Sequence, residues 1–381
     1  MDGVYMNFAA TTCQKPKRVT EAVTRYLNEN RHLNAGRNPQ ALDEGRIALD
    51  ARLALCVFFH IQNPRQVLFT PNSTTALNMV INGLLKPGDH VLTTSVEHNA
   101  AARPLHLLEQ KGIIEVTYLP CRADGSLSPE QIEPNLKANT RALVMNHASN
   151  VLGTILPVRE CFSIAKSRGV VTVLDSAQTA GCLPIDMQTD CIDVLTFTGH
   201  KGLMGLSGIG GFALSPGTEE KISPWLCGGT GSASESLEQP DFLPDKFEPG
   251  TQNTIGILSL KEALAELAEI GLGTIKAREE QGMQRLLEGL SSLPVHLYGT
   301  KNAEKSVPVV SLNAPGKDPG ELAQELSDQY GVIARSGLHC SPFAHRTAGS
   351  FPQGSLRLSL GFSTTDAEID YAVEALRKLL R

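Results

Sequence analysis

The chain has no surplus of positive charge: 34 Lys and Arg stand against 40 Asp and Glu, a net charge of −6. Proteins that hold nucleic acid neutralise its phosphates with an excess of cations, so that class of partner is excluded. Long apolar runs are also missing. The densest, Leu53–Phe59, falls far short of the ~20 residues that cross a bilayer. The opening Met1-Asp2-Gly3-Val4-Tyr5 carries neither a basic nor an apolar leader region, so a soluble, cytoplasmic protein without membrane contact is expected. Cysteines occur at 13, 56, 121, 161, 182, 191, 227 and 340, with no C-x-x-C pair and no His/Cys cluster of zinc-finger spacing. Neither a disulfide framework nor a metal site is expected, but reduced thiols mostly buried as small apolar residues. The Gly-rich stretch Gly202–Gly211 contains no G-x-G-x-x-G, which argues against a dinucleotide site. No internal repeat or low-complexity segment is present. What remains is 381 residues, 41% hydrophobic, 5% aromatic and 19% charged, enough for two or three domains with large cores.

From about residue 65 short β-rich runs alternate with helical stretches. Strands are expected at Gln66–Thr70, His90–Thr94, Ile114–Leu119, Arg141–Asn146, Val170–Leu174 and Ile192–Phe197. Helices are expected at Ser73–Leu84, capped by Asn72 or Ser73, at His98–Lys111 and at Val158–Ser167. This alternation predicts an α/β domain on a mostly parallel sheet over residues 16–255. Beyond it the texture changes: a long helical region, Ile255–Leu290, breaks around Gly271–Gly273. Strands at Val307–Leu312, near Val332–Arg335 and at Ser355–Leu360, with helices at Gly320–Tyr330 and from Thr365, predict a smaller α+β domain over 256–381. Residues 1–15 are expected to pack with it.

The chemistry collects behind the strands. Lys201 follows one of them in T-F-T-G-H-K-G, where a lysine is either a solvated turn residue or stands at a sheet edge that holds a ligand. Asp175 ends another strand, where ligands of open α/β sheets bind; by itself it reads equally as a helix cap or an ion-pair partner of Lys201. Together the two residues suit pyridoxal 5′-phosphate (PLP): the lysine forms a Schiff base, and the carboxylate keeps the pyridine nitrogen protonated. Ser73 and Thr74 open a helix whose free N–H groups could cradle a phosphate, or serve only as caps. His98, also behind a strand, could stack on a ring or move protons, and otherwise caps its helix.

The set A-A-T-T-C-Q-K-P (9–16), N-S-T-T-A-L-N (72–78), E-H-N-A (97–100), H-A-S-N-V-L-G-T (147–154), L-D-S-A-Q (174–178), T-G-H-K-G (198–202), E-P-G-T-Q-N (248–253) and R-S-G-L-H-C-S-P (335–342) resembles the class V, fold-type I aminotransferase superfamily. Within it the set resembles the cysteine desulfurase and selenocysteine lyase enzymes. The segments occur in that family's order and span nearly the whole chain. The resemblance implies that Lys201 carries PLP, that Ser73, Thr74, Thr198 and His200 hold its phosphate, and that Asp175 pairs with the ring nitrogen. It further implies Gln178 on the phenolic oxygen, His98 stacked on the ring, and Asn150 near cofactor and substrate carboxylate. Arg357 would grip that carboxylate, and Thr251 would reach the phosphate of a second subunit, making a homodimer. Cys340 would become the persulfide, in a mobile loop and with the adjacent His339 favouring its thiolate.

The family's second group often has two consecutive histidines where this chain has His98-Asn99, and Phe343-Ala344-His345-Arg346 looks like a subgroup feature. Those departures bear on substrate choice and sulfur acceptor, not on the cofactor; the activity the resemblance implies is conversion of L-cysteine to L-alanine with sulfur passed to Cys340 and on to an acceptor protein. The alternative is release of selenium from L-selenocysteine to a selenium acceptor; another class V aminotransferase is the more distant reading.

Overall fold

The computed structural model describes residues 3–29 and 41–381. Residues 1, 2 and 30–40 lie outside it, including Met1 and Asp2 of the opening segment. The chain enters through β1 (Val4–Tyr5), α1 (Lys17–Asn28) and α2 (Ala41–Phe59). It then builds β2 (Val67–Thr70), α3 (Ser73–Leu84), β3 (Asp89–Thr94), α4 (Asn99–Gln110), β4 (Ile114–Leu119), α5 (Ile132–Asn135), β5 (Thr140–Asn146), α6 (Val158–Ser167), β6 (Val171–Asp175), β7 (Val194–Thr198) and β8 (Gly210–Leu214).

These strands form one sheet in the order β2-β8-β7-β6-β5-β3-β4, in which only β8 runs against its neighbours. Alternate residues enter two different cores. Val171 and Val173 pack with Leu68, Val91 and Val144 on one face; Leu174, Leu195 and Met145 pack with Phe59, Phe162 and Phe197 on the other. A sheet covered on both faces reads as near-continuous apolar strands, as these do. The strand β8, G-G-F-A-L, escapes that pattern because its two glycines suppress strand propensity. They are there for space: a Cβ on Gly211 would lie 2.2 Å from the Leu68 carbonyl.

The chain continues through α7 (Thr254–Ile270) and α8 (Leu272–Ser291), joined at Gly271, whose φ of 81° suits glycine. The remaining elements are β9 (His296–Tyr298), β10 (Val309–Asn313), α9 (Pro319–Tyr330), β11 (Val332–Ile333), β12 (Arg335–Gly337), α10 (Pro342–Ala348), β13 (Ser355–Ser359) and α11 (Asp366–Leu379). The expected strand near Val332–Arg335 is thus two short strands in different sheets. β11 pairs with β1, and β12 joins an antiparallel sheet of order β12-β13-β10-β9. α7 buries Ile257, Leu260, Leu264 and Leu267 in the core of the large sheet. Met283, Leu286 and Leu290 of α8 pack instead with Met6, Leu312, Leu358 and Leu376 around the small sheet. Thr365 caps α11 in a reciprocal box with Glu368.

One buried ion pair ties α2 to the far side of the site. Arg52 Nη2 lies 2.7 and 2.6 Å from the two Glu248 oxygens, and Phe69 N–H donates to Glu248 Oε1 at 2.7 Å. Removing one partner strands a buried charge, so Glu248→Ala is expected to cost about 3–5 kcal/mol, read by urea unfolding.

Candidate active site

Every strand that feeds the site ends at the same edge, and the functional side chains follow β2, β3, β5, β6 and β7. They converge on a cavity of about 90 Å³ lined by Ser73, Thr74, His98, Asn150, Asp175, Gln178, Thr198, His200 and Lys201. Nine of the twelve predicted residues therefore meet here, which is where parallel α/β sheets place ligands.

Asp175 is buried, and its Oδ1 accepts from Ala177 N–H at 3.0 Å and from Ser73 Oγ at 3.3 Å. The Ser73 hydroxyl is thus turned to the carboxylate, and the start of α3 faces the cavity with its first N–H groups and the exposed Thr74. Asn72 is the cap, accepting from Thr75 N–H at 2.9 Å. Gln178 donates one amide proton to the Ala9 carbonyl.

Lys201 stands on the cavity floor. Burial pushes its amine down to about 8; Asp175 opposes that shift, while Arg357 and Arg335 add to it. Its backbone is clamped from a distant part of the chain: Thr12 Oγ1 donates to the Lys201 carbonyl at 2.7 Å, and Thr12 N–H and Lys15 Nζ donate to the His200 carbonyl. The A-A-T-T-C-Q-K-P segment is therefore the brace of the lysine.

His98 caps α4, its Nδ1 accepting from Ala100 N–H at 3.0 Å, which places the ring proton on Nε2. Burial pushes His98 down to about 4, so the ring is neutral near pH 7. Glu97, fully buried behind it, accepts from Asn146 N–H and Thr94 Oγ1 and is pushed up to about 8 by burial.

The small sheet supplies the cations. In the β12–β13 register Arg335 lies directly opposite Arg357. Two like charges in such a pair repel, unless an anion sits between them. Arg357 is 1% exposed; Nη1 donates to the Asn150 carbonyl and Nη2 to Asn7 Oδ1, both at 3.0 Å, and no carboxylate partners it among the described residues. Arg335 Nη2 lies 4.0 Å from Cys340 Sγ.

Cys340 is exposed, but its turn is anchored. The Cys340 carbonyl accepts from Asn99 N–H at 2.8 Å, and Asn150 Nδ2 donates to the His339 carbonyl at 2.7 Å. The expected histidine–thiol partnership is replaced. His339 is buried with its Nε2 against the Ser355 carbonyl, and the cation beside the thiol is Arg335. The cysteines as a set are also less buried than expected: all eight are free, only Cys161 is fully buried, and Cys13, Cys227 and Cys340 are exposed.

Thr251 does not join the cluster. It is exposed and lines a separate cleft of about 190 Å³ with Pro71, Thr75 and Glu248.

Several buried polar atoms have no partner among the described residues, including Thr198 Oγ1, His200 Nδ1 and Arg357 Nε. Buried polar groups are ordinarily satisfied, so these await a polar ligand. A hydroxyl and an imidazole beside free helix N–H groups, with a carboxylate and a reactive amine on the same floor, match the phosphate, ring nitrogen and aldehyde of PLP. The residues present fit the group.

The architecture is the fold-type I arrangement. The family Aminotransferase class-V matches residues 4–372. A cysteine desulfurase of Pectobacterium atrosepticum is 31% identical over 382 residues, spanning 98% of this chain and 92% of that one. Among solved structures, the apo cysteine desulfurase of Thermococcus onnurineus NA1 superposes with a TM-score of 0.92 at 30% identity, covering 99% of this chain and 94% of that one. A cysteine desulfurase of Escherichia coli gives 0.88 at 25% identity, with 100% and 96% covered. The chain belongs to the class V aminotransferase family, in its cysteine desulfurase group. Among the described residues no helix is long and apolar enough to cross a membrane.

Proposed function

We propose that the chain is a PLP-dependent cysteine desulfurase, converting L-cysteine to L-alanine and receiving the sulfur on Cys340. The observation that carries this reading is the Arg335–Arg357 pair, with a thiol beside one guanidinium and the other buried without a carboxylate partner among the described residues, both pushing the Lys201 amine down. Lys201 Nζ would hold the cofactor, Thr74, Thr198 and His200 its phosphate, Asp175 its ring nitrogen through the free Oδ2, and Gln178 its phenolic oxygen. Ser73 contributes its backbone N–H and, through its hydroxyl, steadies Asp175. When bound, PLP supplies an electron sink for the pair left at the substrate Cα.

The chain's own groups do the rest. Arg357 takes the substrate carboxylate bidentately, a match of planar forks that also relieves its repulsion with Arg335. Lys201 Nζ, which burial pushes down to about 8 and so toward the neutral amine, would serve as the base for the Cα proton. The neutral His98 ring lines the same cavity, where it would stack on the cofactor ring, and it can carry a proton on Nε2. Cys340 Sγ, 4.0 Å from Arg335 Nη2, attacks the substrate sulfur as a thiolate. The carbon–sulfur bond breaks, a sulfur–sulfur bond forms, and the electron pair leaves with carbon, which a proton converts to the methyl of alanine. Exposure of Cys340 then lets an acceptor protein's thiol collect the sulfur.

The decisive assay is alanine release from cysteine with sulfide collected under a thiol reductant, compared with alanine and selenide from selenocysteine. An α-keto acid in place of alanine would sink the proposal.

We further propose a homodimer in which Thr251 reaches the other subunit's phosphate. Its exposure, and a loop braced to β2 through Glu248, suit such a reach. Isologous pairs are the commonest assembly. Sedimentation is expected to give twice the 40.9 kDa chain mass; a fully active monomer would exclude the arrangement.

A further inference from the structure

His339 precedes the nucleophile, yet its ring turns inward and is 3% exposed. Nε2 lies 3.1 Å from the Ser355 carbonyl, so that nitrogen donates, and Nδ1 is left as a buried lone-pair atom with no partner among the described residues. Burial, reinforced by Arg357 and His345, pushes the ring down to about 2. A neutral imidazole already committed to a carbonyl is poorly placed to take a proton from Cys340.

Its position suggests another task. Ser355 opens β13, the strand that carries Arg357. On the other side, Asn150 brackets the same turn: Nδ2 donates to the His339 carbonyl, Oδ1 accepts from Ser341 Oγ at 2.6 Å, and its own carbonyl accepts from Arg357. The turn needs such bracing, because His339 and Cys340 are consecutive non-glycine residues at φ 49° and 60°. Backbone of that kind is strained and persists only where the surroundings impose it.

We infer that His339 is a positioning residue: its Nε2–H bond to Ser355 locks the Cys340 turn onto β13, fixing the separation between the attacking sulfur and the Arg357 clamp. The kinetic consequence rests on the desulfurase reading; the structural one does not.

The test uses holoenzyme with His339→Ala and His339→Gln, the latter because its side-chain amide can donate to the same carbonyl. His339→Ala is expected to lower kcat for alanine release from cysteine by about a hundredfold, the scale of a misplaced reacting atom, with KM unchanged. Amide exchange at Asn99, whose N–H holds the Cys340 carbonyl, is expected to quicken by about tenfold. His339→Gln is expected to restore both. The inference is overturned if His339→Gln protects Asn99 while kcat stays as low as in His339→Ala, since the imidazole would then act in proton transfer. It is equally overturned if His339→Ala leaves exchange at the wild-type rate. Should His339→Ala not fold, His339→Gln decides alone: wild-type kcat and exchange support the lock, and a large loss of kcat with an intact turn rejects it. A wild type that releases no alanine defeats the desulfurase reading, while the exchange measurement still judges the lock.

Discussion

Protein carrying Lys201→Ala is expected to purify without covalently held cofactor and to release no alanine from cysteine. Among the described residues Lys201 is the only lysine lining the Asp175 cavity, so no other amine there takes over. Loss of the base for the Cα proton alone removes about 10²–10⁴ in rate, and loss of the covalent tether adds to it. The fold should survive, because the amine sits in a cavity and its burial opposes the charged form. Thr12 and Lys15 grip main-chain carbonyls that alanine retains. The wild type carries a companion signature. Burial favours the neutral, nucleophilic amine, so capture of added PLP by apoprotein should rise with pH through about 8 and then level off. An ordinary lysine would go on rising toward ~10.4. Borohydride that still fixes the cofactor to Lys201→Ala protein would show that the tether lies elsewhere.

Periodic segments were legible because each has one cause. Ser73–Leu84, Ile114–Leu119 and Val158–Ser167 occupy just the residues their patterns predict. The misses have specific physics. β8 hides behind glycines required by close approach of neighbouring backbone. α2 contains the densest apolar run of the chain, where period alone does not distinguish a buried helix from a strand. At the site, residues directly behind strands could be found, since the strand end itself announces the position. Partners supplied from elsewhere could not. Thr12 acts on Lys201 across 189 residues and Asn7 on Arg357 across 350. The misreading of His339 has the same origin. Adjacency in sequence made it the natural partner of Cys340, but two consecutive left-handed residues send the ring inward and the thiol outward. The cation that reaches the sulfur comes from β12, five residues back. Its importance follows from the Arg335–Arg357 register, which no local pattern displays.

Cys340→Ala is expected to abolish sulfur removal from cysteine while leaving cofactor binding intact. The carbon–sulfur bond yields only if something accepts the sulfur, because sulfide leaves poorly from carbon and the exposed thiol offers a sulfur–sulfur bond in exchange. Cys182, which shares the neighbouring cleft with Lys201, is poorly suited to replace it: the residue is half-buried against the Glu279 carboxyl, and burial pushes its thiol well up, away from the nucleophilic thiolate. Substrate should still bind, since Arg357 would hold its carboxylate and the cofactor its amine without help from the turn; a cysteine-induced change in cofactor absorbance measures this directly. Selenium forms a weaker bond to carbon and departs more readily, so the same variant should keep part of its selenocysteine cleavage. Two assays on one variant therefore separate the chemistries. Alanine from cysteine at the wild-type rate would remove Cys340 from the mechanism and leave Arg335 facing a thiol of no consequence. A wild type that releases selenide rapidly and sulfide barely at all would keep every residue in its role and change the substrate.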